Sequence, residues 1–278
     1  MNKIIFTLLL TLVTISFSVA QDDEKIKGDR NVTIKQTYID PFSKIVVGED
    51  FSVEIIYNSK PSVEIETDDN LHQYIEFGVS NGVLTFKTTK RITSSKRMNI
   101  KVNYGDGLES LETLEDGEIR SLTSLELKNA YLKTSGSSKA YLNIRTEKFE
   151  FNSSDKARSK LNINATNSTI VLGDNCKVEA LLNSKTVKMD LYQKATGDIE
   201  GATEDFNLRT DLSASFNGKE FTSNSCNLIA EGNSSATVRV QNTFEAEISG
   251  SSEVYFFGPG KITLTKFMDS AKLQKKEN

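Results

Sequence analysis

His72 is the only histidine in the 278 residues, so any serine–histidine–aspartate triad would have to use it. The surrounding stretch DDNLHQYI, over 68–75, holds no serine, and no G-x-S-x-G nucleophile elbow lies near it. One histidine cannot build a multi-histidine metal site. We expect His72 to lie at the surface of a short helical turn over Asp69–Ile75, capped by Asp68 or Asp69.

Carboxylates form two groups that could carry other chemistry. The stretch 106–118 could supply oxygen ligands to Ca²⁺. Its acids are Asp106, Glu109, Glu112, Glu115, Asp116 and Glu118. Because their spacing matches neither an EF-hand loop nor a Gly-Gly-x-Gly-x-Asp repeat, we predict a solvated face and no metal. Ca²⁺ binding is the alternative.

The second group consists of Asp198 and Glu200 and the adjacent pair Glu204 and Asp205. Glycoside hydrolysis needs two carboxyl groups that flank the sugar linkage and differ in pKa. Sequence neighbours on a strand point to opposite faces and cannot do this, so we interpret the four as surface acids at turns. A polysaccharide lyase or hydrolase is the alternative. It requires a groove that collects carboxylates and a Lys or Arg from different parts of the chain.

Four tyrosines could bind a carbohydrate if they are exposed on one face, because a flat ring with a polar edge suits such a ligand. They are Tyr131, Tyr141, Tyr192 and Tyr255. The alternative is that they pack at the corners of the fold. No other residue is predicted to form a ligand site, and no cofactor is indicated.

The elements that would position these residues are β-strands. Between 38 and 104, apolar residues alternate with polar ones, as in FSVEI over 51–55 and MNIKVNY over 98–104. This period of two places one face of each strand in a core. Turn residues such as Asn81-Gly82 separate the strands.

Beyond Gly105 the chain repeats with a period of about 19 residues. LKTSGSSKAYLNI over 132–144 aligns with FNSSDKARSKLNI over 151–163, and steps of 19 connect Gly117, Gly136 and Asp155. Small residues recur after similar steps at Ser138, Ala157, Cys176, Ala195, Ala214, Ser234 and Ser252. Units this short bury a core only when stacked, which predicts an all-β parallel β-helix, a solenoid of about seven regular coils.

We expect one β-helix domain over 38–267, with N-terminal strands and the helical turn in 38–104 and repetitive coils in 105–267. Residues 21–37 are predicted to be a polar lead-in, and 268–278 a polar tail. A leucine-rich repeat, from LTSLELKN over 122–129, and an antiparallel sandwich are alternatives. Neither explains the column of small residues as well.

The repeat register places the two cysteines apart. Cys176 lies in the small-residue column, whereas Cys226 shares a column with Phe206, Val187 and Ser168. Between two and three coils separate them, at about 4.8 Å per coil, so a disulfide is out of reach. We predict two buried free thiols.

Residues 1–20 have the pattern of a secretory signal peptide, with Lys3, an apolar run over 4–19 and the small residues SVA at 18–20. We expect cleavage before Gln21 and export to the periplasm, the cell surface or the medium. An N-terminal membrane anchor is the alternative, and no integral membrane segment is expected after cleavage. The net charge of −4 gives no basic surface for nucleic acid.

FSKIVVGEDFSVEI over 42–55 and DDNLHQYIEFGVSNGVLTF over 68–86 precede coils with degenerate Gly-Ser corners. Over about 38–260 the chain resembles the auto-transporter adhesin head GIN domain family, which is known from exported proteins of Bacteroidetes-type bacteria. The resemblance implies a right-handed parallel β-helix in a secreted or envelope protein and brings no catalytic residue with it. The Gly-Ser-Gly corners appear here as SGSS at 135–138 and EGNS at 231–234.

The combined pattern favours a non-catalytic binding or scaffolding protein of the cell envelope, of which an adhesin is one kind. Its expected partner is an envelope polysaccharide or a surface protein. The polysaccharide-active enzyme is the second hypothesis. A partner or sensor protein of an envelope system is the third.

Overall fold

A computed structural model of the chain describes residues 24–277. The predicted signal peptide and its cleavage site at Gln21 lie outside the described residues. The fold is nearly all β, with 68% strand and 2% helix, and forms a β-solenoid of about nine turns with a spacing near 19 residues. The predicted fold class, a parallel β-helix, is confirmed.

Nine strands and one 3-10 turn build the N-terminal end. They are β1 Lys25–Lys27, β2 Val32–Tyr38, β3 Lys44–Val47, β4 Ser52–Tyr57, β5 Ser62–Asp68, the 3-10 turn Asp69–Tyr74, β6 Ile75–Ser80, β7 Val83–Thr88, β8 Arg91–Ser94 and β9 Met98–Tyr104. β7 and β9 form the first layer, and they pair in parallel with β3 and β4. Antiparallel β5 and β6 pair with β9 and β7. The end of the solenoid is therefore capped, since a strand edge left bare can pair with other chains.

The lead-in predicted for 21–37 differs from the structure, because it contains β1 and all of β2 except Tyr38. β2 pairs antiparallel with β5 along its whole length, from Val32–Asp68 to Tyr38–Ser62. β9 pairs with one edge of β5, and β2 pairs with the other edge. The predicted helical turn is present, but the Asp68 carboxylate does not cap it. That carboxylate instead accepts a hydrogen bond from the Lys96 backbone N–H at 3.1 Å.

Thirteen strands form the coils that follow. They are β10 Ser110–Thr113, β11 Glu118–Ser121, β12 Leu125–Glu126, β13 Asn129–Thr134, β14 Lys139–Ser153, β15 Arg158–Leu172, β16 Lys177–Leu191, β17 Thr196–Thr210, β18 Ser215–Ala230, β19 Ser235–Ile248, β20 Glu253–Phe257, β21 Lys261–Phe267 and β22 Lys272–Lys275. From β14 to β17 each strand pairs in parallel with the next in the register of the sequence repeat, so that Leu142 pairs with Leu161 and Leu161 with Ala180. β22 pairs with β20, so the predicted polar tail is part of the solenoid.

One corner of each coil is a tight turn with a left-handed residue. The residues that occupy this position have positive φ and are Glu49, Glu115, Gly136, Asp155, Asp174, Gln193, Leu212, Gly232, Gly250 and Asp269. Side chains connect neighbouring corners, as where the Gly136 N–H donates to Asp155 Oδ2 at 2.9 Å. The prediction that Gly117 precedes Gly136 in this column is wrong. β10 and β11 pair with the next coil at a longer step than the later coils do, as in Glu118–Lys139, and this register places Glu115 there.

The predicted column of small residues lines the inside of this corner. Its members, from Ser138 to Ser252, are all buried. Buried hydroxyls pair beside it, as in Thr113–Ser138 at 2.8 Å and Thr210–Ser234 at 3.0 Å. Small side chains fit here because the chain turns tightly and the interior narrows.

Each strand from β14 to β18 also bends at one residue that leaves the ladder, such as Glu147 in β14. A buried hydroxyl stabilises this bend: Thr146 Oγ1 donates to the carbonyls of Lys128 and Lys148 at 2.9 and 3.1 Å. Ser184 and Thr203 do the same in β16 and β17. The bend divides each coil into a first segment, 139–146 in β14, and a second segment, 148–153.

Both cysteines are buried and form no disulfide. Cys226 continues the register of Ser168, Val187 and Phe206, the column that the repeat predicted. No helix among residues 24–277 is long and apolar enough to cross a membrane.

Candidate functional site

A shallow groove of about 550 Å³ lies on the outer surface of the first segments of β14–β17. Two columns of outward-facing side chains form its walls. One column contains Arg120, Tyr141, Lys160, Glu179 and Asp198; the other contains Asn143, Asn162, Leu181 and Glu200. The groove therefore runs along the solenoid axis and crosses five successive coils, a length of about 19 Å at the usual strand spacing.

The alternation of side chains along the strands is sufficient to place these residues on the outer surface, and no loop contributes to their position. Leu142, Leu161 and Ala180 point into the core, so the residues on either side of each must point outward. The in-register parallel pairing then stacks equivalent positions of each coil. β17 has an irregular register after Asp198 and bulges at Gly201, whose φ of +113° is a conformation that L side chains rarely adopt. The groove ends at this bulge.

Arg120, which is ion-paired with Glu118, lies at one end of the groove, and the carboxylates of Asp198 and Glu200 lie at the other. The Arg120 guanidinium stacks over the Tyr141 ring at 4.3 Å from its centroid. In the middle, Lys160 Nζ lies 2.9 Å from Glu179 Oε2. This hydrogen bond and the Glu179 charge raise the pKa of Lys160, so the ammonium stays protonated. At the far end Asp198 Oδ1 accepts a hydrogen bond from Asn217 Nδ2 at 2.8 Å.

Leu181 is the apolar contact of the groove. It is 43% exposed. The equivalent outward positions of the two preceding coils hold polar residues, Asn143 and Asn162. An exposed aliphatic chain between amides and carboxylates resembles the mixed lining of many ligand sites.

The four predicted tyrosines do not share one face. Tyr141 and Tyr255 occupy one column, but six coils apart, and only Tyr141 lines the groove. Tyr131 lies on a second segment with Lys148 Nζ at 5.8 Å from its ring centroid. Tyr192 lies at a corner with Arg209 nearby. A single aromatic platform built from all four is therefore absent from the structure.

Tyr255 is engaged by its own strand. Its hydroxyl donates to Glu253 Oε2 at 2.9 Å, and this hydrogen bond raises the pKa of the phenol. The Lys276 ammonium lies 5.1 Å from its ring centroid.

Asp198 and Glu200 both line the groove, since residues two apart on a strand share a face. The interpretation of these two as acids at turns was wrong, because β17 continues straight through them. The neighbouring Glu204 and Asp205 lie at and just after the bend of β17, and Asp205 Oδ1 accepts a hydrogen bond from Ser225.

The carboxylates of the acidic stretch 106–118 contact different partners and do not converge on one point. Asp106 accepts a hydrogen bond from the Tyr57 hydroxyl, Glu112 pairs with Lys44 and Lys133, and Glu118 pairs with Arg120. Between residues 24 and 277, no group of three or more His, Cys, Asp or Glu side chains is placed to hold a metal ion.

His72 lies in the 3-10 turn of the cap, with Nε2 3.0 Å from Thr33 Oγ1. Burial and the nearby Lys35 charge lower its pKa. A second cavity of about 450 Å³ also lies in the cap, between Glu49, Phe51, Thr88, Arg91 and Met98. The Glu49 carboxylate there already accepts two hydrogen bonds from Thr88.

Arg120, Lys160, Glu179 and Leu181 were not identified as site residues from the sequence. A signal existed for two of them, because Lys160, Glu179 and Asp198 follow Tyr141 at the spacing of the sequence repeat. Extending the repeat to its outward positions would have found this column.

Comparisons with known proteins agree with this architecture. The model of the family described as "Putative auto-transporter adhesin, head GIN domain" matches residues 41–181 and 147–260. The chain belongs to this family. The resemblance seen in the sequence is thereby confirmed.

Solved structures share the fold. A protein from Parabacteroides merdae described as a "putative adhesin" is 17% identical with a TM-score of 0.65, and the match covers 91% of this chain and 99% of that one. A second "putative adhesin", from Parabacteroides distasonis, is 19% identical with a TM-score of 0.63 over 92% and 100%. A "putative lipid binding protein" from the same species is 14% identical with a TM-score of 0.60 over 91% and 100%. No curated protein matches the chain.

Proposed function

We propose that this GIN-domain protein is an exported, non-catalytic binding protein of the cell envelope, adhesin-like, and that its axial groove binds an extended saccharide. The groove is the main observation that supports the proposal. It offers a partly exposed ring at Tyr141, amides at Asn143 and Asn162, and charged hydrogen-bonding groups from four of its five coils. The family description and the structural neighbours described as adhesins support a binding role.

An extended ligand suits this geometry because the groove follows the repeat. A polymer along the axis would meet a new pair of outward side chains at each coil, about every 4.8 Å. Many such weak polar contacts with one aromatic contact provide binding without a deep pocket. Solenoid proteins commonly use extended surfaces of this kind.

The test is binding of the mature chain, residues 21–278, to a glycan array with and without Ca²⁺. We expect a reproducible glycan whose binding is lost in Tyr141→Ala and Asn162→Ala. The matched control is Tyr131→Ala, which removes an exposed tyrosine outside the groove. A blank array, or binding that Tyr131→Ala abolishes and Tyr141→Ala preserves, would refute the groove as a saccharide site.

A polysaccharide lyase or hydrolase is the second candidate, since the groove brings Lys160 of one coil near Asp198 and Glu200 of another. Lys160, however, is exposed and ion-paired, and its pKa is raised. A lysine that abstracts a proton near neutral pH needs a lowered pKa, so Lys160 is a poor base for a lyase.

Product analysis on a bound glycan separates the two functions. We expect the glycan to be recovered intact after long incubation. Shortened or unsaturated products that disappear in Asp198→Asn or Glu200→Gln would establish the enzyme instead.

A further inference from the structure

The last coil has core positions that no other described residue covers. β21 pairs only with β19, and β22 only with β20, among residues 24–277. Leu264 continues the register of Ala246, and Phe267 that of Ile248. Ala246 and Ile248 are 1% and 0% exposed, whereas Leu264 and Phe267 are 43% and 49% exposed. The interior of the solenoid therefore reaches the surface at this end.

β21 is also an edge strand. Every second backbone N–H and C=O of such a strand lacks a strand partner, which makes it a template for another strand. The opposite end of the solenoid has β5 and β6 in this place. β21 has seven residues, which is within the usual length range of strands, and an extended peptide can add to an exposed edge of this kind.

The charge at this end indicates the kind of strand that fits. Between 261 and 277 there are five lysines but only two acids, in a chain whose net charge is −4. Lys261 and Lys266 lie on β21 itself, at outward positions in register with Thr243 and Glu247. β21 thus offers apolar side chains toward the core and ammonium groups on its outer face.

A second copy of the chain is a poor occupant of this edge. Joining two identical ends would bring together the five lysines that each copy has between 261 and 277, and this like charge opposes the contact. Lysines on an edge strand are a common device against self-association. A strand with carboxylates on its outer face avoids this repulsion.

We propose that β21 is a docking edge for an extended acidic segment of another protein, which adds as a strand. Its alternate apolar side chains cover Leu264 and Phe267, and its carboxylates lie beside Lys261 and Lys266. This contact is independent of the saccharide groove, which lies on coils β14–β17.

The test is selection from a phage-displayed library of random peptides of about ten residues on the immobilised mature chain. We expect enriched peptides to alternate acidic and apolar residues. A fluorescent synthetic copy should lose affinity at least about tenfold for Lys261→Glu/Lys266→Glu and for Leu264→Asn. The control Lys156→Glu/Lys177→Glu makes the same charge change on exposed lysines of the central coils and should bind as the wild type does.

Three outcomes would overturn the proposal: no enrichment, enriched peptides that bind Lys261→Glu/Lys266→Glu unchanged, or wild-type dimerisation in sedimentation that these substitutions alter. Circular dichroism confirms that each variant is folded. Glycan binding should be the same in all of them, so a failure here is distinguishable from a failure of the groove.

Discussion

At the residue scale, the two cysteines show how position decides the role of one side-chain type. Cys176 lies in the corner column, where Ser138, Ser234 and Ser252 occupy equivalent positions. Burial raises the pKa of its thiol, and the neighbouring Ser153 side chain opposes this shift. Cys226 lies in register with Phe206 and Phe244, and burial raises its thiol pKa further. The repeat register predicted both columns; it could not predict that only one has a polar neighbour.

Serine substitution should therefore affect the two positions differently. Cys226→Ser buries a hydroxyl without a partner and should lower the free energy of unfolding by about 1–3 kcal/mol. Cys176→Ser should change it by less than about 0.5–1 kcal/mol, since serine already fits that column. Urea unfolding followed by circular dichroism measures both. Equal losses would contradict the assignment of the two environments.

Glu112 is a residue whose charge should make stability depend on pH. Burial opposes its ionisation, but the hydrogen bonds and charges of Lys44 and Lys133 outweigh this and lower its pKa. A carboxyl with a lowered pKa stabilises the fold above its unfolded value, about 4.3, and this contribution is lost as pH falls through the folded pKa.

Glu112→Gln should thus be less stable than the wild type by about 0.5–1 kcal/mol at pH 7, with a smaller difference in acid. Glu109→Gln, at an exposed position, is the control. Thermal unfolding between pH 3 and 7 measures the difference. Parallel wild-type and Glu112→Gln curves would show that the ion pairs contribute nothing.

At the element scale, the corner turns explain why Gly, Asp, Glu, Gln and Leu occupy one structural position. All of them adopt positive φ there. A search for glycine or asparagine alone finds Gly136, Gly232 and Gly250 and misses the coils between them. The inner small residue two positions later is the better marker, because lack of space excludes large side chains from most coils.

Substitutions at this left-handed corner position should change the free energy of unfolding in opposite directions at Gly232 and Leu212. Gly232 has a φ of +73°, and an added Cβ would lie 2.8 Å from the Leu212 backbone nitrogen, so Gly232→Ala should destabilise by about 1–2 kcal/mol. Leu212 carries the left-handed strain itself, and Leu212→Gly should stabilise by about 0.5 kcal/mol. Urea midpoints measure both changes. Stabilisation by Gly232→Ala would contradict the corner geometry.

At the scale of the whole molecule, the regular coils could be predicted and the cap could not. Pairing partners from β14 to β17 are equivalent positions of the sequence repeat, so sequence periodicity and spatial stacking coincide there. In the cap, β3 and β4 lie between the layer of β7 and β9 and that of β10 and β11. Stacking order differs from chain order, and no periodicity reveals it. The groove was missed for a related reason, because its walls are outward columns that no core pattern marks.

Removal of one coil tests this modular architecture. Deleting 177–195 joins Cys176 to Thr196, which takes the register position of Lys177. We expect a folded β-helix about 4.8 Å shorter in small-angle scattering. Deleting 177–194 instead shifts the following strand by one residue and exchanges its two faces, so it should not fold. Equal behaviour of the two deletions in circular dichroism would contradict the register.

Ligand is expected to bind along the groove on the first segments of β14–β17. Hydrogen–deuterium exchange of the mature chain with its best array glycan tests this directly. We predict ligand-dependent protection in 139–146, 158–165 and 177–184, and none in the second segments 148–153 and 167–172. Protection confined to the second segments, the cap or β21 would contradict the groove as the binding site.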